Sequence, residues 1–107
     1  MKKYGMGWKA FRDHINLNHG YDWIFSRTNE AGNFPPGTTI EIRWKTGQVW
    51  PATVEGDTAS WRVEAETVLL VPDGTEFVIA VAYPNAATET TDDYPWIFGH
   101  ARYDIKE

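Results

Sequence analysis

The chain has no cysteine among its 107 residues. No disulfide frame, iron–sulfur cluster, cysteine zinc site or thiol nucleophile can be built from it. Serine is scarce as well: Ser26 and Ser60 are the only two, and neither sits in a Gly-x-Ser-x-Gly elbow. The three histidines, His14, His19 and His100, form no HxH or HExxH spacing, so surface or cross-strand roles are expected of them, not a metal site. The glycines make no Walker loop. Gly5-Met6-Gly7 lacks both the preceding strand and the following glycine of a dinucleotide fingerprint. Asp92-Asp93 is the only adjacent carboxylate pair, and it lies in a Thr-rich polar stretch. Glycosidase-type chemistry needs two acids across a cleft, one of them desolvated. The expectation is a protein without catalytic activity, metal or cofactor.

Long apolar runs are missing too. The longest, Phe77-Val-Ile-Ala-Val-Ala-Tyr83, is far too short to span a bilayer, so no membrane partner is expected. Met1-Lys2-Lys3 starts like a signal peptide, but Tyr4-Gly5-Met6-Gly7-Trp8-Lys9 is no apolar core for one. The protein is therefore expected to stay inside the cell that makes it. Positive charge is scarce beyond the start of the chain. Residues 1–12 carry Lys2, Lys3, Lys9 and Arg12 with no acid, whereas residues 13–107 carry six Lys and Arg against fifteen Asp and Glu. A body with a formal charge of −9 argues against nucleic acid as a partner, because phosphate binding needs a concentrated basic face. The basic start reads either as a frayed, solvated terminus or as an arm, residues 1–13, that docks on an acidic neighbour.

What the sequence does contain is alternation and aromatic bulk. With 42% hydrophobic and 23% charged residues, the composition is that of one ordinary domain. A chain of this length buries roughly two-thirds of its unfolded surface. Ile40, Ile42 and Trp44 alternate with Glu41, Arg43 and Lys45, the period-2 pattern of a half-buried strand. Trp61, Val63 and Ala65 repeat it, and Phe77, Ile79, Val81 and Tyr83 give its longest form. Ile15 and Leu17, Tyr21 to Arg27, Gln48 to Glu55 and Tyr94 to Ile105 add further short runs, with Pro84 to Asp93 expected as a polar loop. Pro51 cannot donate to a ladder, which predicts an edge or bulged strand there. Trp8, Phe11 and Ile15 hint at two turns of helix at most. The pattern predicts an all-β chain: an antiparallel, Ig-like β-sandwich of about seven strands over residues 14–107, preceded by the short N-terminal arm.

The aromatics are the residues left to explain. Trp44 and Trp61 share faces with aliphatic strand residues and are core by pattern, and Trp23 alternates with Phe25. Trp8 lies in the basic arm, while Trp50 precedes Pro51 and Trp96 follows Pro95. Six tryptophans could form a stacking platform for sugars. Aromatics in an arm and beside edge prolines fit protein-interface anchors better, the type most enriched at hot spots. The expected protein interface therefore comprises Lys2, Lys3, Trp8, Lys9, Phe11, Arg12, Trp50 and Trp96.

The order of these signals carries a resemblance. Ile15-Asn-Leu-Asn-His-Gly-Tyr-Asp-Trp23, Pro35-Pro-Gly-Thr-Thr-Ile40, Gln48-Val-Trp-Pro-Ala-Thr-Val54, Val71-Pro-Asp-Gly-Thr75 and Tyr94-Pro-Trp-Ile-Phe-Gly-His-Ala-Arg102 follow one another as parts of one pattern. Together, over residues 14–105, they resemble the LtfC-like β-sandwich family of tailed phages of actinobacteria. The resemblance implies a virion structural role in head or tail, located in the virion and assembled in the host cytoplasm, with no catalytic residues to carry over. Only the first 13 residues precede the domain, which argues against a fibre with a shaft or tip. A capsid decoration or minor capsid protein is expected first. A minor tail or head–tail connector subunit comes next, and a carbohydrate-binding module aiding host adhesion is the alternative from another class. The partners implied are the major capsid protein or tail and connector proteins, with the chain present as a homo-oligomer or in many copies.

Overall fold

Half-buried strands need an apolar side chain at every second position, and this chain supplies them in eight places. The structure, a computed structural model, describes residues 10–85 and 87–105. The strands are β1 (Phe11–Asn18), β2 (Trp23–Thr28), β3 (Thr39–Trp44), β4 (Val49–Pro51), β5 (Thr53–Glu55), β6 (Thr58–Val63), β7 (Glu76–Asn85) and β8 (Thr90–Ile105), with a four-residue helix α1 (Ala65–Val68) after β6. They form a five-stranded sheet, β1-β8-β7-β3-β4, facing a three-stranded sheet, β2-β6-β5. Ile40, Ile42, Trp44, Trp61, Val63, Phe77, Ile79 and Val81, expected to share one core, are all buried together between the sheets.

The connections differ from the sequence expectation at four points, each for a local reason. The helical hint at Trp8–Ile15 is overturned from Phe11 onward, because Ile15 and Leu17 alternate inward on β1. Three apolar residues at helical spacing are too few to outweigh a strand that seals one flank of the core. The stretch 48–55 is not one strand. Ala52 breaks it, donating its N–H to the Ile40 carbonyl at 2.8 Å, and the chain crosses from the edge of one sheet to the edge of the other. Pro51 ends β4 on an outer edge, as its missing donor requires. The loop expected at 84–93 is largely ladder, with Pro84 opposite Thr91 and Asn85 opposite Thr90. The backbone of Glu76, and of every second β7 residue after it, faces β3. Pro84 therefore turns its nitrogen away from β8, to a side with no ladder neighbour among the described residues, and it withholds no ladder bond. Finally, the sandwich is not wholly antiparallel: β1 runs parallel to β8, with His14 opposite His100 and Ile15 opposite Ala101.

Two details hold this pairing in place. Gly20, at φ +87°, reverses the chain after β1, and Tyr21 N–H closes the turn on the Asn18 carbonyl at 3.2 Å. The reversal carries β2 across to the other sheet. Gly99 of β8 lies so close to β1 that a Cβ there would stand 1.6 Å from the Asp13 carbonyl oxygen. At the far end of β8 the Tyr103 hydroxyl lies 2.9 Å from the Val68 carbonyl and 2.5 Å from that of Val71, tying β8 to the segment after α1. Burial first, and the Asp73 carboxylate second, hold this phenol above its ordinary pKa.

The aromatic centre of the core is built on β3, β4, β6 and β7. Trp44 and Trp50 meet edge to face at 5.0 Å, and Trp44 leans on Phe77 at 5.5 Å. Trp61 Nε1 donates to the Trp50 carbonyl at 3.0 Å. The indole N–H groups of Trp44 and Trp50 are buried with no acceptor among the described residues, at a cost of about 1–3 kcal/mol each. Ring burial outweighs that cost, since a large aromatic lost from a core removes about 3–5 kcal/mol.

The Gly99 contact yields a direct test. Gly99→Ala should push β1 off β8 and destabilise the fold by at least the ~1–3 kcal/mol typical of overpacking. Amide exchange is expected to show β1 losing protection while β7 keeps most of its own.

Candidate functional site

Of the residues expected to form an interface, Lys2, Lys3, Trp8 and Lys9 lie outside the described residues. Phe11 and Arg12 are the first two residues of β1, so β1 begins ahead of the arm boundary placed at residue 13. A cut after residue 13 would remove three ladder positions. Any separate arm is therefore confined to residues before Phe11.

Alternation along β1 separates the two side chains. Arg12 points to the outer face of the sheet, where its guanidinium sits 4.8 Å over the Phe98 ring, its neighbour across the ladder. Such a contact at the surface contributes about 0.5–1 kcal/mol. His14, His100 and Arg102 share this outer patch with Arg12. Phe11 turns the other way and is 58% exposed, over a shallow groove lined by Arg27, Glu30, Ala31 and Trp96.

Trp50 and Trp96 are not surface anchors. They are only 3% and 8% exposed. A neighbouring proline removes a ladder donor but does not alter the direction of the side chain beside it. Trp50 stands opposite Ile42, whose inward face it must share. Trp96 sits at an irregularity: Ile79 pairs with Ile97 and Ala80 with Pro95, leaving Trp96 as the extra residue. The bulge lets Trp96 and Ile97 both point inward, and Trp96 packs edge-on against Phe34 at 5.9 Å.

A site that the sequence reading missed lies between the edge strands β1 and β2. The two sheets part there around a cleft of about 120 Å³. Its floor is the core itself, Ile15, Phe77, Ile79 and Ile97, and Trp23 and Phe25 wall one side. Those two rings stack at 5.4 Å with 18° between their planes. Asp13 and Arg27 bridge the rim at 3.9 Å, a half-exposed pair of little energetic weight. Phe25 is 37% exposed, and Ile24, on the outer face of β2, is 69% exposed. The alternation of Trp23 with Phe25 was visible in the sequence. What it did not reveal is that, among the described residues, β2 is an edge strand with a neighbour on one side only.

The cleft offers apolar rings, a strand edge that has no ladder partner among the described residues, and one ion pair. Among the described residues no group of three or more His, Cys, Asp or Glu is placed to hold a metal, and no helix is long and apolar enough to cross a membrane.

A family model described as "LtfC-like, beta-sandwich domain" matches residues 9–104, nearly the whole chain. No curated protein matches it.

The reassignment of the tryptophans can be measured. Trp50→Ala and Trp96→Ala are each expected to cost about 3–5 kcal/mol in urea unfolding. Phe11→Ala should change stability by only about 0.5 kcal/mol, as at most exposed sites.

Proposed function

The chain belongs to the LtfC-like β-sandwich family, and on that basis we propose that it is a non-enzymatic structural protein of a phage virion. In this reading it sits in many copies on the particle, as capsid decoration or a minor capsid protein. A minor tail or connector subunit is the nearest variant of the same role. The observation that carries the reading beyond the family is the gathering of exposed apolar groups along β1 and β2. Phe11 and Phe25 are exposed along that margin, each beside Arg27, which pairs with Asp13 at 3.9 Å, and Ile24 is exposed on the outer face of β2. Apolar anchors beside a charged rim are what a docking face needs: burial supplies affinity, and the rim steers the encounter. Acidic residues elsewhere on the body keep neighbouring copies soluble.

The glycan reading needs two or more coplanar, exposed Trp or Tyr. Trp44, Trp50, Trp61 and Trp96 are buried, Trp23, Tyr83, Tyr94 and Tyr103 are half-buried, and Tyr21 alone is exposed, so no exposed coplanar pair supports it among the described residues.

Particles purified from infected cells and washed in high salt test the proposal. The protein is expected to remain with them at a fixed stoichiometry. At about 1 M salt the screening length is only ~3 Å, so exposed charge contacts fade while buried rings are unaffected. Trp8→Ala should therefore reduce retention more than salt does. Absence of the protein from washed wild-type particles would contradict the virion role.

A further inference from the structure

We propose that the outer face of β1 and β8 is a binding site for a tetrahedral dianion of the phosphate class, held between Arg12 and Arg102 over the His14–His100 pair. This site is independent of the virion role.

Ion pairing singles out this face. The chain has fifteen Asp and Glu against ten Lys and Arg, so its basic side chains have carboxylates to spare. Arg27 pairs with Asp13, Arg43 with Glu41, Lys45 with Glu76, and Arg62 with Asp22 and Glu64. Arg12 and Arg102 pair with no carboxylate among the described residues. The remaining residues of the chain do not alter the balance, because they carry Lys2, Lys3, Lys9 and Lys106 against Glu107 alone. A single carboxylate is too little for two guanidinium groups.

Strand pairing gathers the two arginines around one place. Arg12, His14 and Asn16 alternate outward on β1, and Phe98, His100 and Arg102 on β8. His14 stands directly opposite His100, with Arg12 and Arg102 one outward pair to either side. The two arginines are thus about 13 Å apart along the strands. With Asp13 and Gly99, these four residues border one depression of about 380 Å³. The Phe98 ring, 4.8 Å from the Arg12 guanidinium, already orients it. Nearby carboxylates are committed elsewhere. Asp13 lies 3.6 Å from His14 and 3.9 Å from Arg27, and Glu76 lies 3.9 Å from both His100 and Lys45. Asp104 follows Arg102 on β8 without pairing with it.

The donor set selects the ligand. One guanidinium fork satisfies both oxygens of a carboxylate. Two forks flanking two imidazoles offer more donors, disposed around a volume. That suits a phosphate, with at least three acceptor oxygens and nearly two negative charges. A nucleic-acid diester carries one charge per phosphate and brings a polyanion against an acidic body. The histidines add a pH dependence. Imidazole as a class gains its proton between about pH 8 and 5. Protonation sets two more positive charges between the arginines, and a dianion offsets them. Binding therefore tightens as pH falls.

Sulfate is the probe for the test, because it stays doubly charged throughout that range and any pH dependence then belongs to the protein. Imidazole and guanidinium NMR signals of the full chain are followed as sulfate replaces chloride at constant ionic strength. Saturable shifts are expected at Arg12, His14, His100 and Arg102, but not at His19, which lies past the end of β1. The half-saturating concentration should fall about tenfold between pH ~7.5 and ~5.5. In the Arg12→Gln, Arg102→Gln variant it should rise at least ~tenfold. The His14→Gln, His100→Gln variant should lose most at low pH, leaving an affinity that no longer follows pH. Unchanged β7 amide signals would verify that both variants are folded. Inorganic phosphate and glycerol phosphate are titrated in parallel. Tighter binding of the first supports a site for the free ion, and of the second a site for a phosphate ester. A response that does not saturate, equal shifts at His19, or full affinity in the arginine variant overturns the proposal. So does an affinity that ignores pH in the unaltered chain, or acetate binding as tightly as sulfate. A DNA duplex that displaces sulfate at equal charge concentration overturns it too. No particle enters these measurements, so this site and the virion role can fail separately.

Discussion

The parallel pairing of β1 with β8 is the constraint on which the rest depends. By joining β8, β1 places Ile15 and Leu17 over the core and brings its backbone against Gly99. The same choice removes β1 from the sheet of β2 and leaves β2 as an edge among the described residues. The stable part of the molecule and its unfinished part have one cause. A strand that turned back and paired with β2 would cover Trp23 and Phe25 but expose the flank of β8.

Core and surface divide the aromatic residues more sharply than composition suggests. Trp44, Trp50, Trp61 and Phe77 fill the space between the sheets, and Trp96 seals the side near Phe34. Rings do there what aliphatic side chains do in larger domains, which matters in a chain short enough to have little surplus burial. Trp23 and Phe25 belong to the same stack but lie at its margin, with Trp23 5.7 Å from Trp50 and 6.0 Å from Trp61. A partner that covered them would extend the core rather than add a separate contact. That is the physical content of docking here.

Much of the fold was legible because half-buried strands carry their own signature. The alternation at β3, β6 and β7 identified the inward residues except Ala65, which lies half-buried on α1 and not on β6, and Pro51 marked an edge. The failures concern information that is not local. Nothing in Phe11–Asn18 says that its neighbour will be β8, or that the pairing will be parallel. The bulge at Trp96 and the change of sheet at Ala52 depend on register between distant segments. The candidate site suffered most, for the same reason. Trp50 and Trp96 were judged by the prolines beside them, though their partners across the sheet set their direction. Trp23 alternates with Phe25 as a core residue would, but β2 has no neighbour on that side among the described residues, and both rings are half open.

The placement of β1 on β8 can be tested in a chain that has no cysteine of its own. His14 and His100 are direct partners across this ladder, and both side chains face outward. Neighbouring strands bring such pairs to about 5 Å, within the range a disulfide bridges. In the His14→Cys, His100→Cys double variant, mild oxidation should form one bond within a single folded chain. Two thiols that stay free, or that join only between chains, would show that β1 does not pair with β8 in this register.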